Sequence, residues 1–279
     1  MLPDALVSTD WLAEHLTDPG LRILDASWYL PQSGRDARRE YEAAHIPGAV
    51  FFSLDAVSDP ESPLPHMLPA PGKFETDAGA LGVGTGHDVV VYDGSGINLS
   101  APRAWWMFRV FGHERVAVLD GGFPRWLHEA RLLERGSPAP PITTFEARFQ
   151  SHMVESLDAV RAALTGGHAQ VVDARSAGRF HAREPEPRPG LRGGHMPGSL
   201  NLPYQELLAP DGTMLKGEAL RARFAAAGVD LTQPVITTCG SGVTACVLAL
   251  GLHLLGHDAT VYDGSWAEWG GRADTAVES

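Results

Sequence analysis

Short aliphatic and β-branched runs alternate with longer helix-forming segments along the whole chain. Leu21-Arg22-Ile23-Leu24-Asp25, Val89-Val90-Val91-Tyr92, Gln170-Val171-Val172-Asp173 and Val235-Ile236-Thr237-Thr238 have the length and composition of buried strands. Between and after them, residues 102–111, 157–164, 217–227 and 246–255 are long enough for helices, the last almost wholly apolar. This alternation predicts an α/β fold of mostly parallel sheets flanked by helices.

The pattern is used twice. Asp25 is matched by Asp173, His45-Ile46-Pro47-Gly48 by His195-Met196-Pro197-Gly198, and Tyr92-Asp93-Gly94-Ser95-Gly96 by Thr238-Cys239-Gly240-Ser241-Gly242. Further along, Val118-Leu119-Asp120-Gly121-Gly122 with Trp126 is matched by Val261-Tyr262-Asp263-Gly264-Ser265 with Trp269. Ordered matches of this kind predict two tandem domains of one fold. The first is expected over 1–136, a linker over 137–150 around Pro138, Pro140 and Pro141, and the second over 151–279. A further Pro-rich stretch, 185–190, reads as a surface loop.

One loop stands out chemically. Cys239-Gly240-Ser241-Gly242-Val243-Thr244 lies between a strand and an apolar helix. Its glycines allow the backbone to curl so that successive N–H groups form an anion-binding nest. Such surroundings favour a thiolate, which makes Cys239 a candidate nucleophile; a core cysteine before a helix is the alternative. The matching position of the first half is Asp93, which lacks sulfur, so only the second domain is expected to be active. Cys246, on the apolar helix, reads as core.

Composition narrows the field. The 279 residues hold 34 Asp and Glu against 22 Lys and Arg, a net charge of −12 without basic runs, which argues against nucleic acid. No apolar stretch is long enough for a membrane span, and the N-terminus has no signal-peptide pattern, so the chain is expected to be soluble and cytoplasmic. Only two cysteines and no compact His/Cys cluster among the twelve histidines speak against disulfides and against a metal site. Gly82-Val83-Gly84-Thr85-Gly86 precedes a strand instead of opening a helix, and so reads as a turn and not a dinucleotide fingerprint.

The tandem organisation and the Cys239 loop, together with Pro65-His66-Met67-Leu68-Pro69, Gly178-Arg179-Phe180 and Glu184-Pro185-Glu186-Pro187-Arg188, resemble the two-domain rhodanese-family sulfurtransferases. The likeness is greatest to those that take sulfur from 3-mercaptopyruvate. It implies an inactive first domain with Asp93 at the cysteine position, and a catalytic second domain that needs no cofactor. The implied reaction passes sulfur through a Cys239 persulfide to a thiol, a thioredoxin-like protein or cyanide, and releases pyruvate. By position, Ser241, His66 and Asp55 are implied as a proton-handling set beside Cys239, and Arg179 and Arg188 as carboxylate-binding residues. Gly240, Gly242, Val243 and Thr244 would supply backbone N–H groups to the substrate and the persulfide. On their own, His66 between prolines reads as a surface residue and Asp55 as a helix cap.

Three other functions compete. A cysteine phosphatase requires an arginine where this loop has Ala245, which argues against it. Thiosulfate-using relatives carry Arg and Lys where Gly240 and Ser241 stand, which leaves a thiosulfate:cyanide sulfurtransferase as the runner-up. The third is a non-catalytic module that carries sulfur for regulation.

Overall fold

The computed structural model describes residues 2–97 and 99–279. It divides into two compact units, one of Met1–Pro60, Leu68–Gln150 and Pro210–Thr213, the other of Glu61–Met67, Ser151–Ala209 and Met214–Ser279. Each is a five-stranded, wholly parallel sheet with helices around it.

In the first unit the strands are β1 (Leu6–Val7), β2 (Leu21–Asp25), β3 (Ala49–Phe51), β4 (Asp88–Tyr92) and β5 (Val116–Leu119), ordered β1-β5-β4-β2-β3. Its helices are α1 (Thr9–His15), α2 (Ala37–Ala43), α3 (Leu54–Val57), α4 (Pro71–Ala80), α5 (Ala101–Val110) and α6 (Gly122–His128). The central strand β4 is buried at every position, which is why Val89-Val90-Val91-Tyr92 run without the alternation of a half-exposed strand.

The second unit repeats the plan. Strands β6 (Val154–Glu155), β7 (Gln170–Asp173), β8 (Leu200–Asn201), β9 (Val235–Thr238) and β10 (Thr260–Tyr262) take the order β6-β10-β9-β7-β8. They are joined through α7 (Leu157–Gly166), α8 (Ala177–Phe180), α9 (Gly217–Ala226) and α10 (Ala245–Leu254), and α11 (Ser265–Trp269) follows the last strand. The expected helices are recovered with ends displaced by a residue or two, as fraying allows. Local chemistry repeats as well: Ser8 caps α1 through Trp11 N–H, and Ser156 caps α7 through Ala159 N–H.

The recurring His-x-Pro-Gly turns also have a structural explanation. His45 exchanges backbone hydrogen bonds with Glu134, and His195 does the same with Glu278, so each turn is tied to the segment that follows the last helix of its unit. Among the described residues no helix is long and apolar enough to cross a membrane.

Residues 137–150, expected as a linker, lie along the first unit. Phe145 is buried with its ring edge-on to Phe74 and Phe108. Arg148 and Gln150 donate their N–H groups to the carbonyls of Phe111 and Val110. The prolines keep this stretch extended, and the buried aromatic ring holds it down.

Candidate active site

The Cys239 loop leaves the carboxyl end of β9, which is flanked by β7 and β10 at the point where the order of connections reverses, the usual place for ligands in an open parallel sheet. Cys239 is buried, with 2% of its surface exposed. Of the two glycines expected to curl the loop, only Gly242 takes a left-handed conformation, at φ 75°. Gly240 serves another need: a Cβ there would lie 2.8 Å from Arg179 Nη2, so its absence lets the guanidinium approach the loop backbone. The loop carbonyls are held by α11, where Trp266 N–H donates to Cys239 O at 2.9 Å and Ala267 N–H to Gly240 O at 2.8 Å. Val243 is buried and Thr244 leads into α10 as its N-cap. Cys246 is fully buried in α10, its thiol donating to Gly242 O.

Two members of the expected proton-handling set come together. His66 Nδ1 lies 3.2 Å from Ser241 Oγ, and both side chains are buried. The sequence assigns His66 to the first domain, whereas the short segment Glu61–Met67 packs as part of the second unit. His66 holds φ 61°, a left-handed conformation uncommon for a residue with a Cβ. It is a buried partner of the loop and not a surface residue. Asp55 belongs to the first unit, where it is exposed on α3 and accepts a hydrogen bond from Trp28 Nε1 at 3.2 Å. The cap of α3 is Ser53, which accepts Ala56 N–H, so Asp55 is in the first turn and not at the cap.

The arginines reveal a network that sequence reasoning missed. Arg179 is bound through Nη2 to Glu186 Oε2 at 2.5 Å, with Nε 3.3 Å from Oε1. Glu186 Oε1 also receives Arg175 Nη1 at 2.7 Å. Arg175 is wholly buried, makes three contacts of 2.7–3.1 Å to the Asp173 carboxylate, donates to Gly194 O and stacks 4.2 Å over Trp266. A chain Asp173–Arg175–Glu186–Arg179 therefore runs from the end of β7 to the cysteine loop. The Pro-rich stretch expected as a surface loop is anchored by Glu186, whose side chain is 2% exposed. Arg188 is half-buried two residues further on.

The first unit shows what happens without the arginine. Ser27 stands where the second unit has Arg175, and burial pushes the Asp25 carboxyl up to about 6, aided by the nearby Asp93 charge. A folded state that prefers the neutral acid gains stability that is complete below the ordinary carboxyl value of 3.8 and is lost as pH rises through about 6. Asp25→Asn, neutral throughout, is therefore expected to show a smaller fall in unfolding midpoint between about pH 4 and pH 7 than wild type. Equal falls in the two proteins would contradict this.

Asp93 fills its own loop. Its carboxylate accepts the N–H groups of Ser95, Ser100 and Ala101, each at 2.9 Å, and the Ser95 hydroxyl. Loop donors that would receive an external anion are occupied by the side chain itself. Among the described residues no group of three His, Cys, Asp or Glu is placed to hold a metal ion.

The rhodanese-like domain model matches residues 8–129 and again 156–272. A human 3-mercaptopyruvate sulfurtransferase is 48% identical over 96% of this chain and 93% of its own length. The Arabidopsis thaliana mitochondrial thiosulfate/3-mercaptopyruvate sulfurtransferase 1 is 45% identical over 99% of this chain and 78% of its own. The crystal structure of SseA from Escherichia coli, described with the rhodanese fold and catalytic mechanism of 3-mercaptopyruvate sulfotransferases, superimposes with a TM-score of 0.87 at 44% identity, covering 94% of this chain and 98% of that one. Similarity of this extent spans both sheets and the cysteine loop, and the chain belongs to the rhodanese family.

Proposed function

We propose that the chain is a sulfurtransferase that takes sulfur from 3-mercaptopyruvate onto Cys239 and hands it to a thiol, a thioredoxin-like protein or cyanide. The observation that carries this reading is the Cys239 loop, with Ser241 held by His66 on one side and the guanidinium of Arg179 against Gly240 on the other. Together they supply a nucleophile, a proton path and a cation for a carboxylate in one unit.

In the proposed reaction the Cys239 thiolate attacks the donor sulfur and the sulfur–carbon bond breaks. Its electron pair leaves on carbon as the pyruvate enolate. The proton of the donor thiol passes by way of Ser241 and His66 to that carbon, which completes pyruvate and leaves a Cys239 persulfide. Loop N–H groups from Gly240 to Thr244 stabilise the anionic sulfur. An acceptor thiolate then attacks the outer sulfur and restores Cys239. Asp55 is assigned the third place in the proton-handling set on resemblance alone. The reaction fits a cytoplasmic, reducing setting, although the Arabidopsis relative is named as mitochondrial.

Pyruvate formation from 3-mercaptopyruvate with a small thiol as acceptor tests the reading, and no pyruvate above the enzyme-free rate would overturn it. Thiosulfate is the second donor to assay, because the Arabidopsis relative is named for both. Arg179→Ala and Arg188→Ala should each lower kcat/KM for mercaptopyruvate about tenfold or more, the scale of a lost charge-assisted hydrogen bond, with a smaller loss on thiosulfate. Equal losses on both donors would remove the carboxylate from these residues.

A further inference from the structure

Ser265 opens α11, is fully buried and holds φ 49°. Left-handed backbone is costly for a residue with a Cβ, and persists only where the surroundings impose it. At the matching position the first unit has Gly122, with φ 57° and no such cost. The neighbouring contact is the same in both copies: Phe123 N–H donates to Asp93 O at 3.0 Å, and Trp266 N–H to Cys239 O at 2.9 Å. Glycine therefore suffices to build this turn. What serine adds is a hydroxyl, which donates to Tyr262 O at 2.8 Å, accepts Cys239 N–H at 3.2 Å and lies 3.3 Å from Thr238 Oγ1.

We propose that Ser265 is a positioning residue for the nucleophile, its hydroxyl fixing the Cys239 peptide so that the loop N–H groups converge on Sγ. The inference rests on Cys239 being the nucleophile. Trp266 and Ala267 hold the loop by its carbonyls, and Ser265 holds it by the amide of the reacting residue itself. The repeat supplies the contrast, because the copy without a cysteine has neither the hydroxyl nor the strain.

The test uses iodoacetamide, which needs no sulfur donor, with peptide mapping to separate Cys239 from Cys246. Ser265→Gly and Ser265→Ala should both slow alkylation of Cys239 near neutral pH about five- to tenfold and displace its pH profile toward the alkaline side. Their thermal midpoints should differ, with the glycine variant melting higher because it relieves the left-handed strain. Reactivity would then follow the hydroxyl and not the stability. A wild-type rate and profile in either variant, or slowing confined to the less stable one, would overturn the proposal. A wild type whose Cys239 is no more reactive than Cys246 would overturn the nucleophile reading and this inference with it.

Discussion

Cys239→Ser is expected to lose sulfur transfer by at least about 10⁴-fold, the scale on which enzymes lose activity when the attacking atom is removed. Serine nearly preserves the shape of the side chain, so the loop, its hold on α11 and the His66–Ser241 contact should survive. What goes is the soft, easily ionised sulfur, which a hydroxyl cannot replace as a sulfur carrier. Cys246 provides the control. It is buried in α10 with its thiol bonded to Gly242 O, and Cys246→Ser retains a donor of similar size. Single-turnover pyruvate release should therefore stay within a few-fold of wild type in that variant. Comparable losses in both would mean that the loop, and not the sulfur of Cys239, limits the rate.

Arg175→Met should destabilise the second unit by about 3–5 kcal/mol, because it leaves the buried Asp173 carboxylate without its cation. The methionine fills much of the same space, so the expected cost is electrostatic and not a cavity. An exposed pair offers the comparison: Arg38 and Glu42 are each about half exposed, and Arg38→Gln should cost under about 1 kcal/mol. Denaturant unfolding of both variants measures the difference directly. A loss below about 1 kcal/mol for Arg175→Met would show that the network contributes little to stability, contrary to the usual result of stranding a buried charge.

Much of the fold is legible in the sequence because it depends on spacing. Apolar runs such as Val89-Val90-Val91 and Val235-Ile236-Thr237 mark strands buried on both faces, and their repetition marks two sheets. Cys239 is legible for the same reason, since its loop occurs twice and the sulfur once. The network around Arg179 is not, because its members look ordinary one at a time: Glu186 sits among prolines, and Arg175 is a single charge after a strand. One signal was available in the repeat. Asp25-Ala26-Ser27 against Asp173-Ala174-Arg175 is a serine-to-arginine difference beside a buried acid, and such an acid invites a buried cation. His66 was legible by resemblance, but not its membership of the second unit, which comes from the packing of a seven-residue segment with no helix or strand of its own. Likewise Asp93 shows in sequence that sulfur is missing, while only its hydrogen bonds show that the carboxylate occupies the loop.

The central claim is that sulfur rests on Cys239 between donor and acceptor, and intact mass after exposure to 3-mercaptopyruvate alone tests it most directly. With acceptor withheld, the protein should gain the mass of one sulfur atom, mapped to the peptide carrying Cys239 and removed on addition of a thiol or cyanide. An unchanged mass while pyruvate is formed, or sulfur mapped to Cys246, would contradict it.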